Sequence, residues 1–188
     1  MTYVSSTTTV GAKTTGMAVG TGFSAIVRTE PRYAALIARL ILAMVMFPHG
    51  AQKLLGSFGG SGFSSSLEHL VEDYGVWPVF AFLTILVEFF GPLALAIGFL
   101  TRIAALGIGA VMVGAAVLVH LPYGFFMNWF GKAGGEGFEY HILVLGLVAV
   151  LLIEGGGLLS VDRFLTSRLV RTDASLPQDR QADLVDTG

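Results

Sequence analysis

The chain has 188 residues, of which 54% are hydrophobic and 13% charged, and its formal net charge is -2. That balance is too apolar for an ordinary soluble domain of this length, which points to a lipid bilayer as solvent, and it offers no basic surface of the kind that holds nucleic acid. The absence of cysteine excludes thiolate metal sites, disulfide exchange and cysteine-held iron-sulfur clusters, so any redox chemistry is borrowed.

Residues 1–32 are rich in Thr, Ser and Gly and lack a basic segment ahead of an apolar core, so they read as a disordered tail and not as a signal peptide. A membrane domain over 33–166 follows, built from four apolar segments at about 33–54, 77–100, 102–121 and 138–159. Each is close to the ~20 residues that cross a ~30 Å hydrocarbon core. The expected fold is therefore all-α, an integral membrane four-helix bundle.

The first segment carries Arg39 about two turns from its start, where its long stem can snorkel to the headgroups, and ends in Pro48, His49 and Lys53. The loop that follows, Leu55 to Val76, is rich in Gly and Phe, and its glycine-rich stretch Ser57 to Phe63 reads as a turn. In the second segment Glu88 lies near mid-depth, just ahead of Gly91 and Pro92. A carboxyl at that depth is protonated, paired with a cation or wetted by a cavity, because burial disfavours its charge. Only Thr101 and Arg102 separate the second and third segments, which fixes a tight antiparallel hairpin.

Ala105, Gly109, Met112, Ala116 and His120 form one stripe on the third segment, which Pro122 closes. The loop to Gly137 is again rich in Gly and Phe, and its GGEGF run reads as a loop contact. On the fourth segment Glu139, Leu143, Gly146, Val150, Ile153 and Gly157 form the candidate packing stripe. Glu139 and His141 are two apart, about 200° around a helix, so Glu139 is preferred as the inward-facing residue. Glu154 sits near the end of that segment, and residues 167–188 read as a second disordered tail.

Lysine and arginine set the orientation. Lys13, Arg28 and Arg32 precede the first segment, Arg102 marks the short turn, and Arg163, Arg168, Arg171 and Arg180 follow the fourth. Only Lys53 and Lys132 fall on the opposite side, so both termini are expected in the cytoplasm and the two long loops outside. Trp77, Tyr123, Trp129 and Tyr140 supply aromatic anchors at the outer interface.

This topology gathers His49, Lys53, His120 and Glu139 at the outer half, with Glu88 below them. Together they are the candidate ligand-binding set, and Glu88 and Glu139 are the candidates for proton handling. No metal site is expected from them. Neither glycine-rich stretch lies in a strand-turn-helix unit, so there is no dinucleotide or flavin fingerprint and no intrinsic cofactor is expected.

Three stretches resemble the DoxX family of small membrane proteins: RLILAMVMFPHGAQKLL from Arg39, VEFFGPLALAIGFLTRIAAL from Val87, and HLPYGFFMNWFGKAGGEGFEYHILVLGLV from His120, with GGGLLSVDR ending at Arg163. Position by position the resemblance picks out Arg39, Gly50, Lys53, Glu88, Gly91, Gly98, Arg102, Glu139, Ser160 and Asp162. It implies a four-helix subunit in the bacterial cytoplasmic membrane that works with other protein subunits of an oxidoreductase complex near the quinone pool. Quinone is the ligand it points to. Its carbonyl oxygens would accept hydrogen bonds from His120, His49 or Lys53, and Glu88 or Glu139 would supply protons. A non-catalytic membrane anchor and a small-solute or proton carrier built around Glu88 are the alternatives; haem between His49 and His120 is disfavoured by their position at the membrane edge.

Reporter fusions are expected to place both termini inside and the loop containing Trp129 outside. An external C-terminus would refute the charge-based orientation.

Overall fold

The computed structural model describes residues 33–174, with side chains for 33–168; the rest of both stretches read as tails lies outside the described residues. Every described element is helical. Helix α1 runs Ala34–Leu55, α2 Gly62–Glu72, α3 Pro78–Ile97, α4 Thr101–Ala115, α5 Glu139–Glu154 and α6 Val161–Ala174. Beyond Ala115, α4 continues as a π-helical segment, Ala116–His120, and a 3-10 turn, Leu121–Tyr123.

The helix ends follow from local chemistry. Gly56 and Gly98, at φ 70° and 67°, stop α1 and α3 in the left-handed conformation that lacks a steric penalty only for glycine. Pro78 opens α3 at a position whose N–H has no partner within the helix. Pro48 and Pro92 lie inside α1 and α3 without ending them.

Among the described residues three helices are long and apolar enough to cross a membrane: α1, α3, and α4 taken through Tyr123. The fourth expected span is a helix of 16 residues, about 24 Å at 1.5 Å per residue. It packs beside the others. α1 lies against α3, α3 against α4, α4 against α5, and α5 against α1, which closes a ring of four helices. Leu42, Met46, Leu95, Ile108, Val148 and Leu151 fill its centre. Ile37, Met44, Val79, Phe80, Leu106 and Ile153 point outward and are exposed, as helices that meet lipid require.

The long first loop is not simply a loop. Its centre folds as α2, which packs on α1 and α3. The spacing of Phe63, Leu67, Leu70 and Val71 is helical, but the flanking glycines mask it. At the other terminus α6 carries helix to Ala174, past residue 166 where the sequence reading ends the membrane domain.

The packing face of α5 also differs from expectation. His141, Val144, Val148 and Leu151 are buried, whereas Leu143 and Ile153 are exposed at 70% and 77%. The small residue that sets this contact belongs to the opposite helix: a Cβ on Gly109 of α4 would lie 3.0 Å from Val148, while Gly146 has open space around it. Since α5 is apolar on all sides, its own small residues did not mark the interface.

Arg39 is buried, at 1% exposure, and does not snorkel. Its guanidinium donates to the carbonyls of Leu95 (3.0 Å) and Ala96 (2.7 Å) at the end of α3, and to Leu158 (3.0 Å) and Leu159 (2.6 Å) in the turn before α6. Arg102 does the same for α5, donating to Leu152 and Ile153 at 3.0 Å each. Asp162 completes the set by accepting from the amides of Leu100 (2.7 Å) and Thr101 (2.8 Å) at the start of α4. Cations thus cap helix C-termini and an anion caps an N-terminus, matching the helix dipoles.

Arg39→Ala is expected to lower stability by roughly 2 to 5 kcal/mol, because it strands buried carbonyls, and Asp162→Ala by about 0.5 to 2 kcal/mol through loss of the cap. Unfolding in a mild detergent measures both. Equal stability of the Arg39 variant and the native chain would contradict the capping role.

Candidate functional site

The site begins where α1 and α3 come closest. A Cβ on Gly50 would sit 2.1 Å from the carbonyl oxygen of Glu88, so only glycine allows this backbone approach. One turn further along α1, the Lys53 ammonium reaches the Glu88 carboxylate and forms an ion pair. The Glu88 side chain is 5% exposed and that of Lys53 32%. Of the three ways to keep an acid inside the bundle, pairing with a cation is the one in place. Lys53 also lies in the last turn of α1, where a positive charge favours the helix C-terminus.

This pair forms the polar end of a groove of about 1000 Å³ bounded by α2, α3 and α4. Phe80, Leu83 and Val87 of α3 line one wall, and Gly107, Val111 and Leu118 on the α4 side line the other. The helix α2 forms the lip. There His69 pairs with Asp73 and meets Tyr74 edge to face, with ring centroids 4.9 Å apart, and buried Ser66 shares a 3.1 Å hydrogen bond with Ser61. Gly60 lets the lip approach α1, since a Cβ there would meet the Gln52 carbonyl at 2.3 Å. The groove is long, mostly apolar and polar at one end, which suits a ligand with a hydrogen-bonding head and a hydrocarbon tail.

The five candidate ligand-binding residues do not form one cluster. Lys53 and Glu88 line the groove, and His49 lies one turn from Lys53 on α1 but is exposed. His120 and Glu139 instead serve the second long loop. The His120 Nδ1–H donates to the Glu136 carbonyl at 2.8 Å, and the Glu139 carboxylate accepts from the Met127 amide at 3.0 Å. His141, not Glu139, turns toward the core; it is 5% exposed, and its ring lies 4.3 Å from that of His120. Its Nδ1 has no partner among the described residues. Nor do the described residues bring three or more His, Asp or Glu side chains together as a metal site.

The other motif residues are architectural. A Cβ on Gly91 would press to 3.3 Å from Ile108, and one on Gly98 would lie 2.4 Å from the Ser160 Cβ. Ser160 donates to the Gly157 carbonyl at 2.9 Å and accepts from the Arg163 amide at 3.2 Å. Arg39, Arg102 and Asp162 hold the helix ends described above. Sequence reasoning missed His69 and Glu136; both lie in segments read as plain loops, and only the helical spacing within α2 could have drawn attention to the first.

A closed ring of apolar helices with an exposed hydrophobic exterior and an ion pair between two of them defines a polytopic α-helical membrane protein. The DoxX family model matches residues 34–121, which contain α1 through the π-helical end of α4. The chain is also similar to the inner membrane protein YqjF of Escherichia coli (strain K12), with 29% identity over 133 residues, 71% of this chain and 92% of that protein. No solved structure matches significantly.

Lys53→Met leaves Glu88 buried without a partner and is expected to cost roughly 3 to 5 kcal/mol, whereas the double variant Lys53→Met/Glu88→Leu should recover much of that loss. Additive losses in unfolding experiments would mean that the two groups do not act as a pair.

Proposed function

We propose that this protein is a quinone-contacting subunit of an oxidoreductase assembly in the bacterial inner membrane. The carrying observation is the Lys53–Glu88 ion pair at the polar end of an otherwise apolar groove of about 1000 Å³. That volume is at the upper end of the ~300 to 1,000 Å³ typical of small-molecule pockets. A quinone supplies the redox chemistry, taking up two electrons and two protons; the cysteine-free chain leaves the electron donor to a partner subunit. The Lys53 ammonium is placed to donate a hydrogen bond to a ring carbonyl oxygen and to stabilise negative charge developing there. Glu88 balances the Lys53 charge and, as a carboxylate, takes up a proton and relays it toward the ring oxygen that Lys53 contacts. The apolar walls hold the isoprenoid tail and exclude water. The membrane assignment of the E. coli relative supports the location.

A second reading has its own support. Gly107, Ala110 and Gly114 line the groove on α4 at spacings that admit a partner's transmembrane helix, as a non-catalytic anchor requires.

In lipid nanodiscs, Lys53→Ala and Glu88→Gln should each weaken quinone binding by about 0.5 to 3 kcal/mol, and His120→Ala, outside the groove, should leave it unchanged. Ala110→Phe should fill the groove and block binding. Undiminished quinone affinity in all three groove variants, together with loss of a co-purifying partner in Ala110→Phe, would replace the quinone reading with the anchor.

A further inference from the structure

We infer that the segment 125–133 is a membrane-inserted loop, seated in the lipid leaflet beside the short helix α5. Three independent observations converge on it.

The first is exposure. Phe126, Trp129 and Phe130 are 76%, 80% and 86% exposed, among the largest values for aromatic side chains in the described residues. Three such rings in five residues would be costly in water but match the amphipathic zone where lipid headgroups meet acyl chains.

The second is that part of the loop's backbone is already paired, with the amides of Met127, Asn128, Gly131 and Ala133 all bonded. The Met127 amide donates to the Glu139 carboxylate and the Asn128 amide to the Glu136 carboxylate at 2.5 Å. The Gly131 amide donates to the Asn128 carbonyl, and the Ala133 amide to the Asn128 side-chain oxygen, whose own NH₂ group donates back to the Ala133 carbonyl. At the base, Gly137, Phe138 and Glu139 donate to the carbonyls of Phe126, Gly124 and Phe125. This pairing lowers the cost of bringing irregular backbone close to hydrocarbon, and the amides left over are met by the hydrated headgroup zone in which the rings sit.

The third is continuity. Exposed apolar side chains flank the loop in the chain, Val117, Leu118 and Leu121 before it and Ile142 and Leu143 after it. The 16-residue α5, about 24 Å long, is shorter than the ~30 Å core, and the loop leads directly into its first residue. Exposed Lys132 beside the rings suits lipid phosphates.

The sequence contains two tryptophans, Trp77 and Trp129, which makes the loop directly readable. In Trp77→Phe protein reconstituted in phosphatidylcholine vesicles, emission from Trp129 should be largely lost with lipids brominated near the top of the acyl chain and should resist aqueous iodide. Trp129→Phe protein, reporting Trp77 at the start of α3, supplies a reference depth; subtracting its signal from that of the native chain replaces the first variant if that one does not fold. Emission quenched by iodide and untouched by brominated lipid would overturn the inference and make the rings a protein-docking surface in water. Protection from both quenchers would also overturn it, in favour of a loop covered by another protein.

Discussion

A single guanidinium ties together the ends of the membrane helices. In lipid, the last carbonyls of a helix cannot turn to water, so each terminus needs a partner from the protein itself. Arg39 supplies partners for four carbonyls at once, and because these come from α3 and from the turn before α6, it joins α1 to two other parts of the chain. The bonds also hold strained backbone. Leu100 and Leu159 have φ of 48° and 52°, in the left-handed region that costs a branched side chain about 1 kcal/mol or more. Leu159 gives its carbonyl to Arg39 and Leu100 its amide to Asp162. Charge-assisted bonds, each worth about 1.5 to 3 kcal/mol, more than offset that strain.

With that end fixed, α1 and α3 run antiparallel until Gly50 brings them into backbone contact, and this register delivers Lys53 to Glu88. The ion pair is therefore a consequence of packing as much as of charge. The residues that give the groove its polar end belong to the same interface that closes the bundle, so binding and stability share side chains there.

Much of this could be read from the residues. Long apolar runs and a very short break between them are one-dimensional signals, and they specified the hairpin and the first three spans, although the break falls at Gly98 to Leu100, and Thr101 and Arg102, read as the separation, open α4. The importance of Glu88 followed from the cost of burying a carboxyl, but its partner did not: Lys53 was grouped with it in the outer half as a ligand-binding candidate, and only the tertiary approach at Gly50 shows the two as an ion pair. Arg39 was misjudged because depth along a helix is legible while the direction of a side chain is not. For α5 the reasoning failed differently. A helix apolar all round has no preferred face in sequence, and its orientation was set by Gly109 on a neighbour. Glu139, read as an inward-facing candidate for ligand binding and proton handling, instead holds the Met127 amide with its carboxylate and thereby shapes a loop.

The π-helical stretch from Ala116 to His120 sets how the two ends of the molecule relate. A π turn holds an additional residue compared with an α turn, so it acts as a phase shift: side chains beyond it no longer continue the stripe that Ala105 and Met112 begin. It is also why His120 reaches the Glu136 carbonyl instead of following Met112 into the core. A register change at that point decouples the loop-bearing end from the packed interior. Insertions or deletions there can re-aim the outer loop while leaving the hairpin and its caps as they are.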